Sequence, residues 1–153
     1  MFIKTHLAIT FFGIVIFLDF FHGIENKLLF LGVAFLATFI PDVDTRFSKL
    51  GKRKVFRPIQ FFFGHRGFIH SFTFLAIIFV FLLFLNEVIA FGFLLGYGLH
   101  LFADSFTKFG VYLLWPIKKN FKGPIKTGGK FERLIFTICL VVGFFLLGLK
   151  VFR

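Results

Sequence analysis

Five long apolar runs constrain this chain more than any other feature of its sequence. Most of the third run is TFLAIIFVFLLFL at 73–85, which has no polar side chain beyond its first threonine. A soluble domain of 153 residues needs a polar exterior, and a composition that is 58% hydrophobic and 16% charged does not supply one. The sequence therefore predicts a single all-α domain over residues 1–153, a polytopic helical membrane protein with about five transmembrane helices. The runs are 5–21, 28–41, 69–85, 88–106 and 134–149.

The lengths of these runs are unequal. A helix needs roughly 17 to 25 residues to cross the hydrocarbon core of a bilayer. Runs 5–21, 69–85 and 88–106 meet that length, and we expect them to cross. Run 134–149 is slightly short, and run 28–41 is short enough to be either a crossing helix or a re-entrant segment. The first run ends in DFFHGIENK, which lacks the small-residue signature of a cleavage site, so we expect a retained helix rather than a signal peptide.

The basic residues predict an orientation. Of the 18 lysines and arginines, one precedes the first run, seven follow the second run and seven follow the fourth. An excess of Lys and Arg marks the cytoplasmic side, so the amino terminus is predicted to be inside, in the cell (cytoplasmic) membrane. Binding of nucleic acid by the same basic loops is an alternative explanation of the net charge of +11. The turn-rich stretch 107–133 is expected to fold over the helix ends.

Histidines and aspartates gather at the predicted inner ends of four runs. Ionisable groups beside apolar spans are costly, and they usually mark function. Each has an ordinary explanation by itself, such as an ion pair between Asp104 and Arg66, but seven on one membrane face favour a metal site. Imidazole with carboxylate suits zinc, manganese or iron better than calcium or magnesium. The seven candidate ligands are His6, Asp42, Asp44, His65, His70, His100 and Asp104.

Spacing adds geometry to this set. His100 and Asp104 are four residues apart, so on a helix both project from one face about a turn apart. His65 and His70 are five apart, roughly 140° around a helix, so His65 is expected to precede the third helix. Seven ligands exceed the three or four that one catalytic zinc takes from protein. Either two ions share the cluster through a bridging carboxylate, or some of the seven residues do not bind metal and instead form hydrogen bonds that orient the ligands.

Pro41 predicts how the second run ends. Proline disfavours helix at the residue before it, so the helix is expected to stop at Ile40. Asp42 and Asp44 would then lie in an extended segment, where alternate side chains point the same way and reach one site.

Four motifs, in this order along the chain, carry a resemblance: TH at 5–6, PDVD at 41–44, GHRGFIHS at 64–71 and GYGLHLFADSFTKFGVYLLWP at 96–116. Together they resemble the LexA-binding, inner membrane-associated hydrolase family. The resemblance implies a membrane-bound metal-dependent hydrolase whose metal site uses the seven residues named above. A more distant similarity to zinc-dependent phospholipase C and its nuclease relatives implies phosphoester hydrolysis at a zinc centre bridged by the Asp of His-x3-Asp.

The expected reaction is hydrolysis of a phosphoester or lipid-linked phosphate at the cytoplasmic membrane face. One or more divalent ions, zinc before manganese or iron, would lower the pKa of a bound water to about 7. Asp42 or Asp44 would act as general base, and Arg66 would hold a phosphate through bidentate hydrogen bonds. The basic loops would favour anionic small molecules or membrane lipid headgroups. Two alternatives stay open: a non-catalytic membrane adaptor stapled by metal, and a metal transporter or sensor.

Overall fold

The computed structural model describes residues 1–20, 23–44, 67–117 and 119–151, and this part of the chain is all helical, without β-strands. The described helices are α1 Ile3–Phe20, α2 Lys27–Phe39, a short 3-10 helix Pro41–Asp44, α3 Phe72–Leu83, α4 Glu87–Ser105 and α5 Lys130–Val151. The predicted all-α class is confirmed for these residues.

Three of these helices are long and apolar enough to cross a membrane. They are α1, α4 and the first 21 residues of α5. By contrast, α2 has 13 residues and α3 has 12, so at 1.5 Å per residue they are only about 20 Å and 18 Å long. The hydrocarbon core is about 30 Å thick, so neither of these two helices spans it without local thinning of the bilayer.

The prediction for run 69–85 was therefore wrong in length. Helix α3 begins only at Phe72, because Ser71 is an N-cap whose hydroxyl accepts a hydrogen bond from the Phe74 amide at 3.2 Å. The helix ends at Leu83, and the chain then turns into Asn86, the N-cap of α4. Capping residues at both borders shorten a helix whose hydropathy alone suggests a full crossing.

Helices α2 and α4 pack closely through small residues. A Cβ built on Gly96 would lie 1.9 Å from the Ala34 carbonyl oxygen, so no larger residue fits at this position. Gly92 lies one turn earlier on the same face. The next two positions of this four-residue spacing are His100 and Asp104, so the stripe that packs on α2 continues into the predicted ligands.

The helix ends that carry the predicted ligands meet at one end of the bundle, which we call the histidine end. There the Phe2 amide donates to Glu132 Oε1 at 2.6 Å, which joins the starts of α1 and α5. A contact of 2.8 Å between His100 Nδ1 and the Thr38 carbonyl joins α4 to the end of α2. The ring of His70, just before α3, lies 5.8 Å from that of His100 between centroids.

The segment between α4 and α5 covers the same end, as predicted. Val111 and Phe121 exchange two backbone hydrogen bonds of 2.9 Å, which close a loop. The Leu113 carbonyl accepts from the Phe72 amide at 2.8 Å, so this loop is tied to the start of α3. Val111 and Leu113 are both buried in the core.

Candidate metal centre

Two buried imidazoles lie against each other at the histidine end. The rings of His6 and His100 are stacked, with centroids 3.9 Å apart and planes 5° from parallel. His6 is 1% exposed and His100 is fully buried. Helix α1 and helix α4 each contribute one ring, so the stack depends on tertiary packing.

The orientation of His100 is set by the end of α2. Thr38 lies in the last turn of that helix, where backbone carbonyls lack a helical partner. Its oxygen is 2.8 Å from His100 Nδ1. Because a carbonyl only accepts, Nδ1 carries the proton and Nε2 keeps its lone pair. This nitrogen lies 3.9 Å from Asp42 Oδ1 and 3.9 Å from Asp104 Oδ2.

The Asp104 carboxylate lies beside both rings. Its Oδ1 is 3.3 Å from His6 Nε2 and also accepts from the Met1 amino group at 2.6 Å. Its Oδ2 faces His100. The predicted common face of His100 and Asp104 on one helix is confirmed.

These side chains form two groups of possible metal ligands that share His100. One group is His6, His100 and Asp104, and the other is Asp42, His70 and His100. Within each group the ligand atoms lie within 4.8 Å of one another. Ligand atoms around a tetrahedral zinc are roughly 3.4 Å apart, given bonds near 2.1 Å. The separations of 3.3 Å and 3.9 Å are therefore close to those of a coordination shell.

The histidine nitrogens also lack other partners. Within the described part of the chain, neither ring nitrogen of His6 nor Nε2 of His100 makes a well-aligned hydrogen bond, although His6 Nε2 lies 3.3 Å from Asp104 Oδ1. A buried polar atom without a partner costs about 1–3 kcal/mol, so native structures rarely keep one without a reason. Imidazole nitrogens beside carboxylate oxygens fit a divalent transition ion, which would satisfy them together.

Asp42 differs from the other possible ligands in its accessibility. Its side chain is 22% exposed, whereas the side chains of His6, His100 and Asp104 are 3% exposed or less. Burial raises the pKa of the Asp42 carboxyl above its usual value, and the charges of His6 and His70 act in the opposite direction. Asp42 is thus a partly desolvated carboxylate at the open side of the cluster.

One prediction about this region was wrong. Pro41–Asp44 is a 3-10 helix rather than an extended segment, and Ile40 keeps helical dihedral angles, with its amide 3.2 Å from the Ala37 carbonyl. Proline has a φ suited to the first turn of a helix, so Pro41 starts a new turn directly. The side chain of Asp44 lies outside the described residues, and so do His65 and Arg66.

Glu132 is a buried residue of this region that the sequence analysis missed. It is 2% exposed and accepts from the amides of Phe2 and Gly128, both at 2.6 Å, and from the Thr5 hydroxyl at 2.9 Å. Since Thr5 precedes His6, this carboxylate holds the start of α1 in place. It is the only acidic residue after Asp104 in the chain, and that isolation was the available signal.

Comparisons with known proteins give a consistent result. The model of a family described as YdjM inner membrane protein matches residues 1–151. The inner membrane protein YdjM of Escherichia coli (strain K12) is 37% identical over 118 residues, as is that of Shigella flexneri. These matches cover 71% of this chain but 60% of the relatives, so the chain spans about 60% of their length.

A further relative is the uncharacterized protein YvsG of Bacillus subtilis (strain 168). It is 29% identical over 126 residues, and the match covers 76% of each chain. No solved structure matches this chain.

Proposed function

The chain belongs to the YdjM inner membrane protein family, and from that premise we propose that it is a metal-dependent hydrolase acting on a phosphoester at the membrane face. The hydrolase activity, the phosphoester substrate and the cytoplasmic location of the site are parts of this proposal. The resemblance of the sequence motifs to the LexA-binding, inner membrane-associated hydrolase family supports the hydrolase part of this proposal.

One observation carries the proposal: two buried histidines from different helices have unpartnered nitrogens within reach of carboxylate oxygens. His100 Nε2 lies 3.9 Å from one oxygen of Asp104, and His6 Nε2 lies 3.3 Å from the other. A structural core seldom keeps such nitrogens without a hydrogen bond. A divalent ion explains the arrangement, and zinc is favoured because it takes imidazole and carboxylate ligands in a small shell.

When bound, the ion supplies a Lewis acid that activates water and polarises the phosphoester. The chain's own residues have distinct tasks around it. His6, His100 and Asp104 would hold the ion, and the Thr38 carbonyl would keep His100 in the tautomer that offers Nε2. Asp42, which is partly exposed and has a raised pKa, would accept the proton from the attacking water. Asp44 would be the alternative general base, and Arg66 would bind the phosphate of the substrate.

A metal-stapled adaptor is the second candidate, and it has its own support. An ion held by His6, His100 and Asp104 would tie α1 to α4, and an ion held by Asp42, His70 and His100 would tie the 3-10 helix and the turn before α3 to α4. A transporter or sensor is less well supported, because transport sites usually lie near the bilayer midplane and this cluster is at one end of the bundle.

Metal analysis combined with turnover tests the proposal. The purified protein, loaded with zinc and reconstituted in nanodiscs, should hydrolyse a chromogenic phosphodiester or a phospholipid. His100→Ala and Asp104→Ala should each lose most of the bound zinc and all turnover. Asp19→Ala is the matched control, because this carboxylate lies at the opposite end of the bundle and pairs with Lys150 at 3.1 Å. Zinc retained by both site variants would contradict the metal assignment.

The same measurements separate the two candidates. If zinc leaves the site variants but the native protein shows no turnover of any phosphoester, the staple is favoured. In that case the loss of zinc should also lower the thermal stability, since binding free energy contributes to folding.

A further inference from the structure

An apolar cavity lies between α1, α4 and α5, outside the metal-ligand groups. Its volume is about 620 Å³, within the usual range of small-molecule sites of about 300–1,000 Å³. Every lining residue in the described part of the chain is apolar. Water has no hydrogen-bond partner in such a space, so a hydrocarbon is the chemistry that it accepts.

The cavity has the shape and direction that suit one extended chain. Along α1 its lining runs from Ile9 to Phe20, which is about 17 Å at 1.5 Å per residue. At the histidine end it reaches Met1 and Ala103, the latter adjacent to Asp104. A ligand that fills the cavity would therefore extend from the far end of α1 to the candidate metal centre.

Gly13 keeps the middle of this space open. A Cβ at this position would lie 2.4 Å from Leu99 Cδ1, and both residues line the cavity. A larger side chain would either fill the cavity or push Leu99 into it. This makes Gly13 the natural position at which to block the cavity by mutation.

The charges around the two ends of the cavity differ. At the histidine end, the Lys108 amide donates to the Ile125 carbonyl at 2.9 Å, which places exposed Lys108 and Lys126 beside a lining residue. At the other end, Asp19 pairs with Lys150 near the end of the lining at Phe20. An anionic headgroup is complementary to the lysines at the histidine end.

We propose that this cavity binds one hydrocarbon chain of an anionic phospholipid from the surrounding bilayer, with the lipid phosphate at the histidine end. The placement of the phosphate at the metal centre rests on the proposed hydrolase function, whereas binding of the chain does not. The inference thus names the substrate class as a membrane phospholipid rather than a water-soluble phosphoester.

Photolabelling of the 153-residue chain in nanodiscs tests binding without any turnover. The probe is phosphatidylglycerol with a diazirine in one acyl chain, in a phosphatidylcholine bilayer. Labels should concentrate several-fold on peptides from 9–20 and 95–106, relative to the outward face of α5 at exposed Phe144 and Phe145. Equal labelling of all membrane-facing peptides would overturn the proposal, because it would report only annular lipid.

Two variants form the matched pair. Gly13→Leu should reduce the cavity labelling several-fold, whereas Gly32→Leu should leave it unchanged, since a Cβ on Gly32 meets nothing within 4 Å. Unchanged labelling in Gly13→Leu would overturn the proposal.

The native chain gives a second readout that does not depend on folding of a variant. Long-chain phosphatidylglycerol should displace the label better than a short-chain form or long-chain phosphatidylcholine, and equal displacement by all three would overturn the proposal.

Cys139 lines the cavity and is the only cysteine, so efficient cross-linking between two copies through this thiol would assign the cavity to a second copy instead. Concentrated labelling without hydrolysis would support binding of the acyl chain and contradict the proposed hydrolase function, whereas hydrolysis without concentrated labelling would contradict binding in the cavity and support the hydrolase.

Discussion

At the opposite end of the bundle, Asp19 and Lys150 form an ion pair of 3.1 Å with side chains 54% and 29% exposed, whereas at the histidine end Asp104 is buried beside two imidazoles. Two asparagines at the opposite end have their hydrogen-bond partners close by in the sequence. Asn26 and Asn86 are N-caps that accept from backbone amides three residues later, at 2.9 Å and 3.0 Å. These contacts start helices and need no distant partner.

The histidine end uses similar residue types in a different way. Its carboxylates and imidazoles come from residues as far apart as His6 and Asp104, and several of their nitrogens lack hydrogen bonds among the described residues. Burying such groups costs free energy that local capping would have avoided. A candidate site therefore differs from an ordinary helix border in having buried polar side chains without local hydrogen-bond partners. The residue types alone do not make this distinction.

The largest expected effect comes from the close approach that positions the histidine end. Gly96→Leu should prevent α2 and α4 from packing, because even a Cβ would lie 1.9 Å from the Ala34 carbonyl oxygen. We expect a loss of about 4 kcal/mol or more, so that little folded protein remains in detergent. Gly32→Leu, on the open face of α2, should change stability by about 0.5 kcal/mol or less. Thermal unfolding followed by size-exclusion chromatography measures both, and equal melting temperatures would contradict the packing argument.

An intermediate effect is expected for glutamates at the starts of two helices. Glu132→Ala leaves three donors without their carboxylate and should cost about 2–3 kcal/mol. Glu87→Ala removes an exposed acidic residue from the first turn of α4 and should cost only about 0.5 kcal/mol. The free energy of unfolding in denaturant gives both values. Similar losses for the two variants would show that the ends do not differ in burial energetics.

A smaller loss, of similar size at both ends, is expected for two polar substitutions. Thr38→Val removes a hydroxyl that donates to the Ala34 carbonyl at 2.9 Å and contacts the Thr10 hydroxyl at 2.8 Å, and we expect a loss of about 1–2 kcal/mol. Asn86→Ala removes an N-cap and should cost about 1 kcal/mol. Zinc content should be unchanged in both variants, since the Thr38 carbonyl that orients His100 is kept. A loss of zinc in Thr38→Val would show that the hydroxyl, and not only the carbonyl, supports the centre.

Local patterns in the sequence predicted local structure well. The four-residue spacing placed His100 and Asp104 on one face of α4, and Pro41 located the end of α2 to within one residue. Two local predictions failed because short-range hydrogen bonds competed with the pattern. Ser71 capped α3 later than hydropathy suggested, and Pro41–Asp44 formed a 3-10 turn. The role of Glu132 was not predicted, because two of its three donors, the Phe2 amide and the Thr5 hydroxyl, lie 130 and 127 residues away along the chain.

The apolar composition and the positions of the charged residues determined, without a structure, that this is a membrane-embedded helical chain with its histidines and aspartates at helix borders. These properties depend on transfer free energies and helical periodicity, which are functions of residue type and spacing. Only the tertiary structure decided that His6, Asp42, His70, His100 and Asp104 lie together, and that Nε2 of His100 is the nitrogen offered. That outcome depends on the register between α2 and α4, which is set by the contact of Gly96 with Ala34.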